Sequence, residues 1–476
     1  MFGRNSFRGG VHPPEHKHLT KSKPIVTLPL PQRVVIPLSQ HTGSPCQPVV
    51  AVGEEVKEGQ KIGESSGFVS APVHASIAGT VVAIENRPHP VLAYPVPSII
   101  IESKPGAPAA SNWTKKNDWR ALSPEAIKDK IREAGIVGMG GAAFPTHVKL
   151  SPPAGKTIRT LILNGAECEP YLTTDHRLML EKSEGILEGL LILLKVLNIN
   201  TAVIGIEKNK TDAAGLFREK LKQKQASGEI EAGTNVRVVT LKVKYPQGAE
   251  KQLIKALLGR EVPSGGLPFD VGVVVQNVGT AFAVSEAVVK DKPLIERVVT
   301  VSGDAVAKPA NVLVRIGTTF RDLVAFAGGF AESGGIARGD GAESAPADRE
   351  APAEGAAAAP RRGSRYKMIM GGPMMGLAQY TLDAPVIKGT SGFLVLKQDG
   401  EKPSVPCVRC GACVDRCPAR LMPYQLGNLA ERNDFAGCAE FNVKDCMECG
   451  VCAFICPSAR PLVHLIKYAK LNLAKR

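Results

Sequence analysis

Eight of the 11 cysteines stand in two copies of one pattern. Cys407, Cys410, Cys413 and Cys417 read C-x2-C-x2-C-x3-C and run straight into Pro418; Cys446, Cys449, Cys452 and Cys456 repeat the spacing before Pro457. Thiolates at i, i+3 and i+6 can reach three corners of a cubane, and a fourth placed just before a proline turns toward a sister cluster. The spacing therefore predicts two 4Fe-4S clusters that exchange their fourth ligands. One set is Cys407, Cys410, Cys413 with Cys456; the other is Cys446, Cys449, Cys452 with Cys417. A zinc ribbon would use two C-x2-C pairs, with no place for a middle thiolate or a Cys-Pro end. Chemistry of this kind moves electrons one at a time. The remaining cysteines, Cys46, Cys168 and Cys438, have no partner spacing, and so many ligating thiols imply a reducing compartment without a disulfide framework.

A second candidate lies far upstream. Gly135, Gly138, Gly140 and Gly141 precede Ala142-Ala143-Phe144-Pro145. A glycine-rich loop lets backbone N–H groups approach a phosphate, and Lys149 could add charge. Taken alone, a glycine turn between two packed elements explains it equally well. It is neither a strand-first G-x-G-x-x-G nor a P-loop, because the lysine-serine ending is missing.

The elements that must position these groups can be read from the pattern. Residues 1–24 are polar with Gly9, Gly10, Pro13 and Pro14, and predict an extended arm. From 25 to 103 short β-runs broken by glycine and proline, including VVAV (49–52), QKIGE and GTVVAIE, predict a barrel-sandwich. The Ser65–Ser70 turn between its halves has no lysine, so it reads as a structural barrel and not a swinging carrier. After a linker at 104–117, Ser123 caps a helix with Pro124 at its first position. Strand-like 161–164, 203–206, 236–243 and 271–278 alternate with helical 176–198, 211–226 and 249–259. That alternation predicts an α/β domain with a largely parallel sheet over 118–290. Residues 296–395 read as a small α/β roll interrupted by a low-complexity segment at 331–364, expected to be a disordered loop. The cluster domain, 400–476, reads as helical between its motifs.

Bulk properties set limits. A chain of 476 residues exceeds what one core usually serves. Its formal net charge is +14, with 5% aromatic residues. No nucleic-acid-binding module accompanies that charge, so a basic surface toward an acidic redox partner or an anionic membrane is expected, and no nucleic acid. The N-terminus has no secretory apolar region, and Ile186–Ile199, interrupted by Lys195, is too short to span a bilayer. The C-terminal run LVHLIKYAKLNLAKR alternates apolar and basic residues at helical spacing and is expected to pack on the cluster domain.

Four segments in one order, GMGGAAFPTHVKL (138–150), LILNGAECEP (161–170), YPQGAEKQLIKALLGREVPSGG (245–266) and VVVQNVGTAFAV (273–284), resemble the NADH-binding flavoprotein subunit of respiratory complex I. The resemblance implies an FMN loop at Gly138, Gly140, Gly141, Phe144 and Lys149, and further FMN contacts at Asn164, Asn277 and Thr280. It also implies that Glu167, Glu169 and Glu250 are acids beside the nicotinamide and flavin. Met139, Ala143, Ala166 and Ala249 depart from that family's arginine, glycine, aspartate and glutamate.

The whole order, together with FRGGVHPPEHK (7–17) and CPSARPLVHLIKYAK (456–470), resembles the RnfC family, the C component of the Rnf electron transport complexes. The implied architecture is multidomain α/β: barrel-sandwich, complex-I-like flavin domain, β-grasp (SLBB-like) roll and ferredoxin-like two-cluster domain. The implied activity is exchange of electrons between NAD(H), non-covalent FMN and two 4Fe-4S clusters, coupled through the complex to ion transport. The implied partners are the membrane subunits of that complex, a ferredoxin-like iron–sulfur subunit among them. The implied location is peripheral, on the cytoplasmic face of the bacterial membrane. Two other readings share parts of the pattern: a cobalamin reductase of the propanediol-utilisation kind, and an electron-conducting scaffold with a degenerate flavin loop. The N-terminal GGVHPPE favours the Rnf family over the first, and bound flavin would exclude the second.

Overall fold

A computed structural model describes residues 5–103, 113–331, 366–398 and 402–474. Nearly all of the low-complexity segment at 331–364 and part of the linker, 104–112, lie outside the described residues.

The central domain is built on four parallel strands, Thr160–Gly165, Thr201–Glu207, Asn235–Leu241 and Val273–Asn277. They are rich in valine, isoleucine and leucine, as strands covered on both faces must be. Numbered along the chain, their spatial order is third, second, first, fourth. The order therefore reverses between Thr160–Gly165 and Val273–Asn277, which leaves a crevice at the carboxyl ends of those two strands. The apolar text at 176–198 forms two helices, Thr174–Glu181 and Ser183–Leu197, because Lys182 leaves helical geometry at φ −128°. The second helix buries Ile186, Leu187, Leu190, Leu193 and Leu194 on one stripe. Each such side chain contributes about 1.5–3 kcal/mol. Gly189 lets this helix touch Val278–Lys290, since a Cβ there would lie 1.8 Å from the Ala281 carbonyl oxygen.

The barrel-sandwich consists of a four-stranded and a three-stranded sheet closed over Val34, Ile36, Ile62, Val73, Ile99 and Ile101. The expected strand at 49–52 is instead a bend and turn with exposed Val49 and Val52. Ile25–Thr27 does not join this barrel. It pairs in parallel with Ala310–Arg315, at the edge of the roll's six-stranded sheet. Helix Phe320–Phe326 covers that sheet, with Phe320 stacked on Phe393 at 4.3 Å.

The C-terminal domain, expected to hold the clusters, is helical, with Pro423–Glu431, Phe435–Glu440 and Leu462–Ala474 packed around Leu426, Cys438, Val443, Leu462 and Ile466. Helix Leu462–Ala474 packs on this core as its apolar spacing requires. The N-terminal arm is no loose extension, because it straps this domain to the flavin-type domain. Gly10 N–H donates to the Arg416 carbonyl at 2.8 Å, and Val11 and Tyr245 exchange two hydrogen bonds of 2.9 Å. Gly9 and Gly10 both have positive φ, and a Cβ on Gly9 would lie 2.8 Å from the Arg416 oxygen. Composition could not distinguish this strap from a solvated arm, because its partners lie in distant segments of the chain. Among the described residues no helix is long and apolar enough to cross a membrane.

Candidate redox site

The glycine loop lies at the switch point. Asn164 and Asn277 are register partners at the ends of the two strands that flank the crevice. Asn277 caps helix Val278–Lys290: its Oδ1 accepts from Gly279 N–H at 2.7 Å and Thr280 N–H at 3.4 Å, and its Nδ2 donates to Asp175 at 2.7 Å. Thr280 Oγ1 accepts from Met139 N–H at 2.9 Å, tying the loop to that same helix start. Gly138 N–H donates to the Phe144 carbonyl at 2.8 Å and closes the loop. A Cβ on Gly140 would lie 2.6 Å from Asn277 Nδ2, whereas one on Gly141 would meet nothing within 4 Å. The loop thus packs through Gly140 and opens at Gly141. Asn164 Nδ2 donates to the Gly248 carbonyl at 2.8 Å, which brings in the third segment of the series. Lys149 donates to Glu250 at 2.7 Å and to the Val275 carbonyl at 3.2 Å. Tertiary structure therefore gathers Gly138, Gly140, Gly141, Phe144, Lys149, Asn164, Glu250, Asn277 and Thr280 around one crevice.

Glu167 and Glu169 have other partners. Glu167 accepts from Asp175 N–H at 2.7 Å, Thr174 Oγ1 at 3.2 Å and His176 N–H at 3.3 Å, so it caps the start of helix Thr174–Glu181. Glu169 accepts from Met375 N–H at 2.8 Å and Met374 N–H at 3.2 Å, and Tyr245 donates to it at 3.5 Å. Gly372 makes room for this carboxylate, since a Cβ there would lie 2.2 Å from Glu169 Oε2. Burial pushes Glu169 up to about 7 against those donors. Glu167 and Glu169 are thus each anchored by neighbouring donors, a helix start for the first and the 374–375 amides for the second. Glu250, paired with Lys149, stays at the crevice.

Sequence reasoning missed a buried charge cluster beneath the site. Asp175 is pushed up to about 7 by burial and by the Glu167 charge. Arg297, lowered to about 10 by burial, donates to the Met139 carbonyl at 3.3 Å and also to the Lys388 carbonyl. Lys17, from the arm, donates to the carbonyls of Leu172, Glu169 and Glu167 at 2.6, 2.8 and 2.9 Å, and Lys210 donates to that of Ala166 at 2.7 Å. Burial and the charge of Lys210 lower the Lys17 ammonium. Lys17, Asp175 and Lys210 lie in polar stretches of sequence, where nothing local marks them as buried. Cys168 is half-buried, and its Sγ accepts from Gly248 N–H at 3.2 Å.

The motif cysteines sort into two quartets. Cys407, Cys410, Cys413 and Cys456 line one cavity of about 420 Å³. Cys417, Cys446, Cys449 and Cys452 line a tighter one of about 20 Å³. The two motifs repeat their backbone: Gly411 and Gly450 start short helices at φ 77° and 80°, and Arg409 and Glu448 take φ 54° and 60°. Cys407 and Cys446 Sγ each accept, at 3.4 Å, from the N–H two residues on. Burial and neighbouring thiols push Cys449 up to about 12 and raise Cys452 further, so these sulfurs ionise only against a strong cation. Among the described residues no three His, Cys, Asp or Glu side chains converge as ligands of one ion. A cubane spreads its four thiolates over four irons, so the donor chemistry of both quartets fits such a group, although the two cavities differ in volume.

Three segments of the chain match models of known domains. Residues 131–286 match the Nuo51 FMN-binding domain, residues 5–105 the RnfC barrel sandwich hybrid domain, and residues 298–345 the SLBB domain. The chain is 46% identical over 470 residues to the C subunit of the proton-translocating ferredoxin:NAD(+) oxidoreductase complex of Clostridium ljungdahlii, covering 98% of this chain and 93% of that protein. It is 42% identical to the C subunit of the Na(+)-translocating ferredoxin:NAD(+) oxidoreductase complex of Acetobacterium woodii, covering 98% and 97%. It is 38% identical to the C subunit of the ion-translocating oxidoreductase complex of Rhodobacter capsulatus, covering 99% and 84%. With near-full-length identity to these three and an RnfC-specific domain at its start, the chain belongs to the RnfC family of the ion-translocating oxidoreductase complexes.

Proposed function

We propose that this chain is the peripheral NAD(H)-linked subunit of an Rnf-type complex, with non-covalent FMN at the glycine loop and two 4Fe-4S clusters in its C-terminal domain. NADH delivers two electrons as a hydride, FMN can take the pair and release it singly, and the clusters accept one electron each. The observation that supports this best is the meeting of the glycine loop with Asn164 and Asn277 at the sheet's switch point, in a chain whose motif thiols form two quartets. The flavin-type crevice uses Gly138, Gly140 and Gly141 to bring backbone N–H groups close to a phosphate, with Lys149 adding charge. Asn277 and Thr280 hold the loop against the helix start, and Asn164 orients the Gly248 peptide. Hydride transfer needs no general acid or base, so these residues orient the reactants and exclude water. Glu250, through Lys149, is the carboxylate assigned to the nicotinamide side, whereas Glu167 and Glu169 shape the loop that carries them. Cys407, Cys410, Cys413 and Cys456 hold one cluster, and Cys417, Cys446, Cys449 and Cys452 the other.

Anaerobically purified protein is expected to carry one FMN, released by denaturation, and roughly eight irons per chain. Added NADH should bleach the flavin absorbance and then the cluster absorbance. Colourless protein, or pigmented protein inert to NADH, would overturn the reading.

Docking to the membrane subunits, including a ferredoxin-like one, is assigned to the basic surface on the cytoplasmic face. The net charge of +14 suits an acidic partner or anionic lipid. The Debye length falls from about 10 Å at 0.1 M salt to about 3 Å at 1 M, so a high-salt wash should release the chain from membranes without detergent. Full retention in the pellet after such a wash would point to an apolar interface instead, with helix Leu462–Ala474 the first place to look.

A further inference from the structure

We infer that Tyr245 is a positioning residue that joins the flavin crevice to the quartet of Cys417, Cys446, Cys449 and Cys452 and tunes the cluster held there. The inference rests on the assignment of a 4Fe-4S cluster to that quartet. Tyr245 is 1% exposed, and its hydroxyl donates at 2.7 Å to the carbonyl of Cys449. Its backbone is held on both sides by the two hydrogen bonds with Val11. Three residues further on, the Gly248 carbonyl accepts from Asn164 at the crevice, and the Gly248 N–H donates to Cys168. One short segment, 245–248, thus touches a crevice asparagine at one end and a ligand loop at the other. Two more contacts enclose this junction: Val11, Tyr245, Cys449 and Val451 share a buried apolar cluster with Cys168 and Met374. A Cβ on Gly450 would lie 2.6 Å from the Met374 carbonyl oxygen, so the ligand loop is pressed against the 371–376 turn. The other quartet is more open, with Cys410 exposed and Val408 66% exposed, and the buried donor beside it, Arg460, comes from within the C-terminal domain and not from the crevice side.

A hydroxyl that donates to the peptide carbonyl of a ligand draws electron density from that ligand and favours the reduced, more negative cluster. Tyr245→Phe removes the donor and keeps the ring that fills the junction. The expected result is a more negative midpoint potential for this cluster alone, with the reduced-to-oxidised ratio at a fixed potential lowered roughly fivefold, as loss of one ordinary hydrogen bond would give. FMN content, flavin reduction by NADH and the electron paramagnetic resonance signal of the other cluster should stay as in the parent. Replacing Tyr245 with 3-fluorotyrosine keeps the shape and makes the hydroxyl a stronger donor, so the potential should move the opposite way. This second variant decides the matter even if the phenylalanine form loses the cluster. A residue that merely fills space would leave both potentials unchanged, and that outcome overturns the role of Tyr245. A parent protein that binds no 4Fe-4S cluster would instead overturn the proposed function, before either variant is compared.

Discussion

Gly140→Val is expected to weaken flavin binding about a hundredfold, roughly 2.7 kcal/mol, while leaving cluster iron at the parent level. The cause is local. A Cβ at this position would sit 2.6 Å from Asn277 Nδ2, 2.9 Å from its Cγ and 3.1 Å from its Cβ. Asn277 cannot simply move aside, because it caps helix Val278–Lys290 with Oδ1 and donates to buried Asp175 with Nδ2. Losing such a cap costs about 1 kcal/mol by itself, and leaving Asp175 without its donor adds the penalty of an unpaired buried group. The loop must therefore lift away from the strand ends and carry its N–H groups out of reach of a phosphate. The C-terminal domain has a separate core, so iron in its proposed clusters should be insulated from the change. Flavin absorbance and iron measured on the same sample check both halves, and full flavin retention would remove the loop from the assigned site.

Cys417→Ser is expected to cut the iron content from roughly eight to roughly four per chain, and the missing cluster should be the one bound to the second motif. Cys417 lies 29 residues upstream of Cys446, within the first motif, yet it lines the same cavity as Cys446, Cys449 and Cys452. Serine keeps the volume but is a poor ligand for iron, so the fold should survive. Electron paramagnetic resonance of the reduced variant should retain one signal, and a further Cys410→Ser change should abolish it. Retention of the second-motif cluster, with loss of the Cys407, Cys410 and Cys413 cluster instead, would refute crossed ligation.

Sequence alone carried the cysteine spacing far, because ligand spacing within one short helical turn is local geometry. The two motifs also repeat the same left-handed backbone positions, at Arg409 and Glu448 and again at Gly411 and Gly450. The strands of the parallel sheet were legible for a similar reason: runs such as LILN and VIGI bury both faces and need no partner to be recognised. The helix at 211–226 matches its expected bounds, whereas 176–198 divides at Lys182, a break that apolar periodicity does not mark. The strand expected at 49–52 gives way to a bend and turn just past Gln47–Pro48, with a single ladder bond from Val49 N–H to the Ile62 carbonyl.

Tertiary structure decided what long-range contacts decide. Asn164 and Asn277 are 113 residues apart, and only the strand order makes them neighbours at a crevice. Glu167, Glu169 and Glu250 look alike in sequence, yet a helix start, a glycine-made recess and a lysine give them three different tasks. Polar composition predicted an extended arm over 1–24 but could not say where it lies; in the described part, Gly10 and Lys17 donate to carbonyl groups of distant segments. Local spacing determined which residues could hold metal and phosphate. Which partner each carboxylate takes, and which cysteine loop lies against the 245–248 segment, followed from packing, because burial and hydrogen-bond partners belong to the folded chain and not to any stretch of it.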